Sequence, residues 1–217
     1  MRLERSTYPQ VEAYLEGSDT VLMLFGSTEQ HGKHNPLGTD SFAPQKLSEL
    51  IEKDLPGLLI APILPFGSSP RFVEFPGTFN LGDQLYLAVV KKLCENLYDQ
   101  GFRHFVFLNG HGGGQETSAN LYIDPTMVDL DSVEGMGLIN DLGDDMPSVH
   151  FDTVKYKGVS VTVPRPTNYY AENGWIGPDD PKKASAEWGR EMMETVAAWM
   201  VDFIQAFSKT ALPDSED

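Results

Sequence analysis

The sequence is poor in cysteine and in positive charge. Cys94 is the single cysteine among 217 residues, so neither an intrachain disulfide nor a cysteine-rich zinc site can form. Sixteen Lys and Arg stand against thirty-two Asp and Glu, a net charge of −16. Proteins that bind nucleic acid draw much of their affinity from basic side chains on phosphates, and polybasic membrane anchors rely on anionic lipid. The charge balance argues against both. Long apolar runs are missing too. Val21–Phe25 and Leu58–Phe66 are too short to span a bilayer, and prolines interrupt the second. The charged start, Met1-Arg2-Leu3-Glu4-Arg5, has no apolar stretch of the kind a signal peptide needs. The expectation is a single cytoplasmic domain over residues 1–217, with no nucleic-acid or membrane partner.

What is present alternates between strand and helix signals. Thr20–Phe25 (TVLMLF) is a short apolar run ended by Gly26-Ser27 and reads as a buried strand. Pro9–Leu15 before it reads as a short helix with Thr7 as cap. Asp40–Asp54 has helical periodicity, with Leu47, Leu50 and Ile51 on one face. Leu58–Leu64 reads as a second strand and Phe66–Asn80 as a long loop. Asp83–Gln100 is the clearest helix. Its expected apolar face is Leu85, Leu87, Val89, Val90, Leu93 and Leu97, with Asp83 as cap and Gly101 as stop. His104–Leu108 is a third strand and Gln115–Tyr122 a helix. Asp124–Lys157 reads mostly as loop, Gly158–Val163 as a strand and Pro164–Lys183 as irregular. Ala184–Phe207 is a long amphipathic helix, with Trp188 and Trp199 expected in the core, and Leu212–Asp217 a frayed acidic tail. This alternation predicts an α/β layered fold with a largely parallel sheet. In such sheets chemistry sits at the carboxyl ends of the strands.

Two loops follow strands directly and are rich in side chains that do chemistry. The first, Gly26 to Asp40, holds Glu29, His31, His34 and Asp40. Glu29 and His31 are two apart and project to one side of an extended segment. Asp40 returns at the start of the next helix. Carboxylate, imidazole and carboxylate make up most of a divalent metal site; a capped turn with polar groups facing water is the alternative. The second loop, Asn109-Gly110-His111-Gly112-Gly113-Gly114, displays His111 among glycines. It matches neither the dinucleotide nor the P-loop spacing, and a histidine so displayed suits a ligand. His104 reads as the start of a strand, and His150 has no evident partner.

The stretch GSTEQHGKHNPLGTD, with NGHGG after a later strand, resembles the creatininase (creatinine amidohydrolase) family. Other segments resemble it in the same order: Tyr8-Pro9 with Val11 and Glu12, Phe66-Gly67-Ser68-Ser69, Phe75-Pro76-Gly77-Thr78, Glu116-Thr117-Ser118, Gly174-Trp175-Ile176-Gly177-Pro178, and Ala184-Ser185 through Gly189. The resemblance spans nearly the whole chain. It implies a three-layer α/β/α sandwich with two divalent metal ions (Zn, Mn or Fe), often in a symmetric homo-oligomer. Glu29 and His31 would each hold one ion, Asp40 would bridge them, and His111 would complete the first ion's set. The family's second glutamate falls on Gly113, so that assignment fails and Glu116 is the substitute.

Three departures bear on the substrate side. His111 and Glu116 are only five residues apart, where relatives carry an intervening strand and a His-Ala-Gly element. Arg71-Phe72 stands where relatives have Glu-His, and Gly114 where an Asn is common. The implied activity is amide hydrolysis by metal-activated water on a small-molecule C–N bond, such as a cyclic amide or formamide. The alternatives are a peptidase on short peptides and a catalytically degenerate binding member. Glu116 is the first candidate for moving the proton to nitrogen. His34 is the second, or else it orients Glu29 or Asp40. Arg71 is a candidate for selecting a carboxylate or phosphate, with a plain surface arginine the alternative. Ser69 and Trp175 are candidates for lining the substrate pocket.

Overall fold

The computed structural model describes residues 1–112, 115–133, 141–150, 152–177 and 180–212, with only the backbone of His150. Its centre is β1 (Thr20–Phe25), buried along its whole length. A strand covered on both faces has no polar alternation, which is why TVLMLF reads as an unbroken apolar run. Parallel strands flank it: β2 (Leu59–Ile60) on one side and β3 (His104–Asn109) on the other, in the order β2-β1-β3.

Successive side chains of β1 point to opposite faces, and each face carries its own helices. Val21, Met23 and Phe25 pack with Val11, Tyr14 and Leu15 of α1 (Tyr8–Leu15) and with Tyr86, Val90, Cys94 and Leu97 of α3 (Asp83–Asp99). Leu22 and Leu24, with Val106 and Leu108 of β3, pack under Leu47, Leu50 and Ile51 of α2 (Thr39–Asp54). Ala197, Met200 and Ile204 of α6 (Ala186–Phe207) complete that layer. This is the expected α/β/α sandwich on a parallel sheet. The short α4 (Glu116–Ile123) crosses α6 closely; a Cβ on Gly189 would lie 2.0 Å from the Ser118 carbonyl oxygen. Among the described residues no helix is long and apolar enough to cross a membrane.

Several expectations are corrected. The second strand is shorter than Leu58–Leu64, because Pro62 brings no N–H to the ladder; Leu64 rejoins only through an isolated bridge to Phe25. On α3 the buried face is rotated. Tyr86, Val90, Cys94 and Leu97 face the sheet, while Leu85, Leu87 and Leu93 stay exposed. Gly82, at φ 70°, occupies the cap position of α3, so Asp83 is its first helical residue. Gln115 likewise caps α4. Residues read as loop after Asp124 include β4 (Ser148–His150) and β5 (Thr153–Tyr156), which join β6 (Val159–Thr162) in a small antiparallel sheet. The segment read as irregular contains a one-turn helix, α5 (Thr167–Tyr170). α6 starts at Ala186, where the Ser185 side chain accepts from the Trp188 N–H. Neither Trp188 nor Trp199 is core; they are 47% and 64% exposed. Of the tail, residues 213–217 lie outside the described residues.

Candidate metal centre

Asp40 is the hub of the site. It opens α2, where the helix dipole favours a carboxylate, and the ends of β1 and β3 close onto it. Two glycines permit that approach. A Cβ on Gly26 would sit 2.6 Å from Ser41 Oγ, and one on Gly110 would sit 2.2 Å from the Asp40 carbonyl oxygen. Asp40 is 1% exposed. Its two oxygens reach two imidazoles: Oδ1 lies 2.9 Å from His31 Nε2, and Oδ2 lies 2.8 Å from His111 Nδ1. Glu29 Oε1 is 3.4 Å from His111 Nδ1, and Glu116 Oε2 is 3.8 Å from His31 Nε2. The structure thus brings together Glu29, His31, Asp40, His111 and Glu116.

Backbone carbonyls fix which ring nitrogen faces the cluster. His31 Nδ1 donates to the Glu29 carbonyl at 3.0 Å, and His111 Nε2 donates to the Ser68 carbonyl at 3.1 Å. The opposite nitrogens, His31 Nε2 and His111 Nδ1, are therefore the ones turned to the carboxylates.

The titrations follow from this crowding. Burial alone would lower the His31 pKa, but the hydrogen bond and charge of Asp40 outweigh it and raise the value to about 9. Hydrogen bonds to Asp40 and Glu29 raise His111 to about 10. Burial lifts Glu116 to about 7, with the imidazolium of His31 opposing and the carboxylates of Asp40 and Glu29 assisting.

The residues fit a divalent cation. Ligand atoms of Glu29, His31 and Asp40 lie within 4.8 Å of one another. Glu29 Oε2 is buried and has no hydrogen-bond partner among the described residues. A buried carboxylate oxygen is costly to leave so unless a cation takes it. Imidazole with carboxylate suits zinc, manganese or iron.

A cavity of about 660 Å³ opens above the cluster. Glu29, His31, His111 and Glu116 face its floor. Phe72, Trp175, Ile176 and Trp188 supply apolar wall, and Gln30, Gln115 and Lys183 supply polar groups. Trp175 is on the wall, set edge-on to the His34 ring at 5.1 Å.

Three of the sequence candidates stand elsewhere. Arg71 is not among the lining residues; its guanidinium pairs with Asp152 at 3.3 Å, and its neighbour Phe72 faces the cavity instead. An irregular loop has no period from which to read that alternation. Ser69 is buried beside the site, with Oγ 2.9 Å from Ser27 Oγ and its N–H donating to Asn80 Oδ1. His34 is buried with Nε2 3.1 Å from Thr117 Oγ1. It thus braces the first turn of α4, rather than Glu29 or Asp40. Burial and the neighbouring His31 lower its pKa.

Gln30 was not singled out from the sequence. Its Nε2 donates to the Gly174 carbonyl and its Oε1 accepts from the Gly32 N–H, both at 2.9 Å. It ties the wall segment before Trp175 to the loop carrying Glu29 and His31. The one sequence signal was its place between those two residues.

The family model for creatininase (creatinine amidohydrolase) matches residues 4–115 and 111–204. The chain belongs to the creatininase family. Among curated relatives, the 3-dehydro-scyllo-inosose hydrolase of Thermotoga maritima is 29% identical over 107 residues, covering 49% of this chain and 34% of that protein. A mycofactocin precursor peptide peptidase of Mycobacterium tuberculosis is 33% identical over 105 residues, covering 44% of this chain and 41% of that protein. The chain thus spans well under half the length of these relatives. A crystal structure of creatinine amidohydrolase superposes with a TM-score of 0.76 at 21% identity, over 96% of this chain and 98% of that one. A putative creatinine amidohydrolase from Bacteroides fragilis gives 0.74 at 20%, over 99% and 98%. At such identities the superposition speaks to the fold alone.

In this creatininase-family chain the imidazoles raised to about 9 and about 10 carry protons at neutral pH. A cation must displace those protons. Titrating the apoprotein with Zn²⁺ or Mn²⁺ at pH 7 is expected to release about two protons per site, and affinity should climb with pH. Calorimetry in buffers of different ionisation enthalpy counts them; a count near zero refutes the arrangement. Without metal the sign reverses. A raised imidazole pKa stabilises the fold fully below about 6.5, and that contribution is lost as pH rises through 9 to 10.

Proposed function

We propose that the chain is a metal-dependent amidohydrolase acting on a small molecule, cleaving the C–N bond of an amide, cyclic amide or formamide. The observation that carries this reading is the convergence of Glu29, His31, Asp40, His111 and Glu116 beneath an apolar-walled cavity. Glu29, His31, Asp40 and His111 would hold two divalent ions, with Asp40 between them, and Glu116 would serve either as a further ligand or as the proton relay. Creatininase itself has been solved with manganese and, as a variant, in a Zn-Zn form. Bound ions would supply Lewis acidity and make water acidic enough to attack a carbonyl near neutral pH.

The chain's own groups do the rest. Phe72, Trp175 and Trp188 line the cavity and would shield the reacting bond from bulk water. Glu116, whose pKa burial lifts to about 7 before any metal binds, would take a proton and return it to the departing nitrogen if it acts as the relay. Thr117, held by His34 and by Asn35 Nδ2 at 3.0 Å, fixes the first turn of α4 and so the reach of Glu116. We place this activity in the cytoplasm, in a homo-oligomer.

Lys183 is the one Lys or Arg among the described residues that line the cavity, and it takes the anion-selecting role first considered for Arg71. Lys183→Ala is expected to raise KM about tenfold for a carboxylate-bearing substrate, with kcat unchanged and neutral substrates unaffected. An equal change for neutral substrates refutes that role. A carboxylate-bearing substrate also fits a short peptide with a free C-terminus, and the peptidase named above gives that second reading its support.

The test is metal analysis of the purified protein together with a panel of cyclic amides, formamides and short peptides. About two equivalents of Zn, Mn or Fe with turnover of one panel member supports the proposal. Ions bound without any turnover favours the degenerate binding protein, and failure to bind ions at all sinks the hydrolase.

A further inference from the structure

The outer edge of the main sheet is bare. In the order β2-β1-β3, strand β3 has no hydrogen-bonded neighbour beyond it among the described residues. An open edge presents unpaired N–H and C=O groups, and proteins blunt such edges with lysine, proline, a bulge or a covering segment. β3 (HFVFLN) contains no lysine or proline. Its register against β1 runs unbroken from His104 to Asn109, so there is no bulge. His104 offers no free charge either, being paired with Asp19 at 2.6 Å.

Apolar surface flanks this edge on both faces of the sheet. On the α3 side, Phe107 is 53% exposed although it sits edge-on to the core ring of Phe25 at 5.3 Å. On the other side runs α6. The ring of Phe207 lies 5.2 Å from that of His104, which sets this flank of α6 beside β3. Val196, Trp199 and Phe203 share the flank at helical spacing and are 39%, 64% and 41% exposed. Trp199 stacks on Phe203 at 5.4 Å and Phe203 on Phe207 at 5.6 Å, with planes within 8°. An ordered, exposed aromatic ladder marks an interaction surface better than scattered leucines do.

The family comparison breaks at the same place. The two matches overlap at residues 111–115, just past β3. Residues 111–115, which leave β3, are thus matched by both parts of the family model.

We propose that a second copy of this chain covers the edge. Two β3 strands pair antiparallel about a two-fold axis normal to the sheet, joining two three-stranded sheets into one of six. Such an axis keeps each helical layer on its own side, so ladder meets ladder and Phe107 meets its symmetry mate. A strand without free charge tolerates being laid against itself even on a molecule of net charge −16. The exposed parts of Phe107, Val196, Trp199 and Phe203, with the strand backbone, come to roughly 500–600 Å² per copy. Over two copies that is roughly 1,000–1,200 Å², which reaches the about 1,000 Å² a specific interface needs. Because β3 runs directly into Gly110 and His111, pairing also steadies the strand that delivers one of the site's imidazoles. The proposal stands independently of the chemistry proposed above.

Sedimentation velocity on the intact chain tests it. At about 10 µM the protein should sediment as a dimer of the 24.1 kDa chain. Phe107→Lys and Trp199→Lys should each weaken the dimer by about 100-fold or more while metal content is retained. A wild-type monomer at that concentration overturns the proposal, as does an oligomer that both variants leave intact. Hydrogen exchange on the wild-type protein decides the matter if the variants fail to fold. The β3 amides should exchange more slowly in concentrated than in dilute solution, and equal rates overturn the two-fold edge.

Discussion

Asp40→Ala is expected to remove both metal ions and to lower hydrolysis at least about 10³-fold. No other carboxylate in the cluster has its geometry. Oδ1 and Oδ2 lie 2.9 and 2.8 Å from two different imidazoles, which themselves come from different loops. The residue is buried at the first turn of α2, which fixes both oxygens in place. Metal analysis gives a sharp reading: loss of both ions supports the bridge, whereas loss of one refutes it. The same variant has a second consequence without metal. Removing one partner from a buried ionic cluster costs about 3–5 kcal/mol, so the variant's apoprotein should unfold at lower denaturant than the wild-type apoprotein. The sign of the pH dependence can be checked separately. Burial pushes the Asp40 pKa up, but hydrogen bonds from His111 and His31 pull it down further, leaving it below the ordinary value of 3.8. Its contribution is therefore present above about pH 4 and is lost as pH falls through the folded-state value. Combined with the raised histidines, the wild-type apoprotein should be most stable between about pH 4 and 6.5 and weaken on either side.

Much of this site was legible before any coordinates, for a physical reason. A parallel strand buried on both faces shows as an apolar run, and TVLMLF and HFVFL are such runs. Each is followed at once by a loop dense in His, Glu and Gly, and parallel topology carries both loops to the same sheet edge. Glu29, His31, Asp40 and His111 followed from that logic. What stayed hidden depends on orientation within irregular or unusually covered segments. Arg71 and Phe72 are neighbours on a loop, and no period tells which one faces inward. The leucines of α3 made a convincing apolar stripe, yet Leu85, Leu87 and Leu93 face outward. Periodicity reveals that a face exists, not which neighbour is there to cover it. The same holds for Trp199, which reads as core yet is exposed beside β3, the last strand of the sheet among the described residues. Lys183 gave no signal at all, because a cavity wall assembled from distant segments has no local pattern.

Glu116→Gln is the second large expected effect, and it separates the two roles open to that residue. Glu116 sits at the first turn of α4, its Oε2 3.8 Å from His31 Nε2 and its side chain on the cavity floor. Burial raises its pKa to about 7; cations bound beside it would draw the value lower. A carboxylate that starts ionised and relays a proton to nitrogen makes turnover rise as pH climbs through its pKa. Glutamine keeps the shape and the hydrogen-bonding reach but cannot relay the proton. If Glu116 is the relay, kcat should fall about 10²–10⁴-fold, KM should hardly move, both ions should stay, and the acid limb of the pH profile should vanish. If Glu116 is instead a ligand, the variant should lose one ion, and added metal should restore part of the rate. A variant within about threefold of wild type would exclude both roles, since neither relay nor ligand can be given up so cheaply. The proton would then have to come from elsewhere on the cavity wall. His34 is poorly placed for that, because its Nε2 is turned to Thr117 and its ring lies behind Trp175. Glu116, on the cavity floor beside His31, is thus the carboxyl group proposed to serve the departing nitrogen, and the fate of this variant decides whether it does.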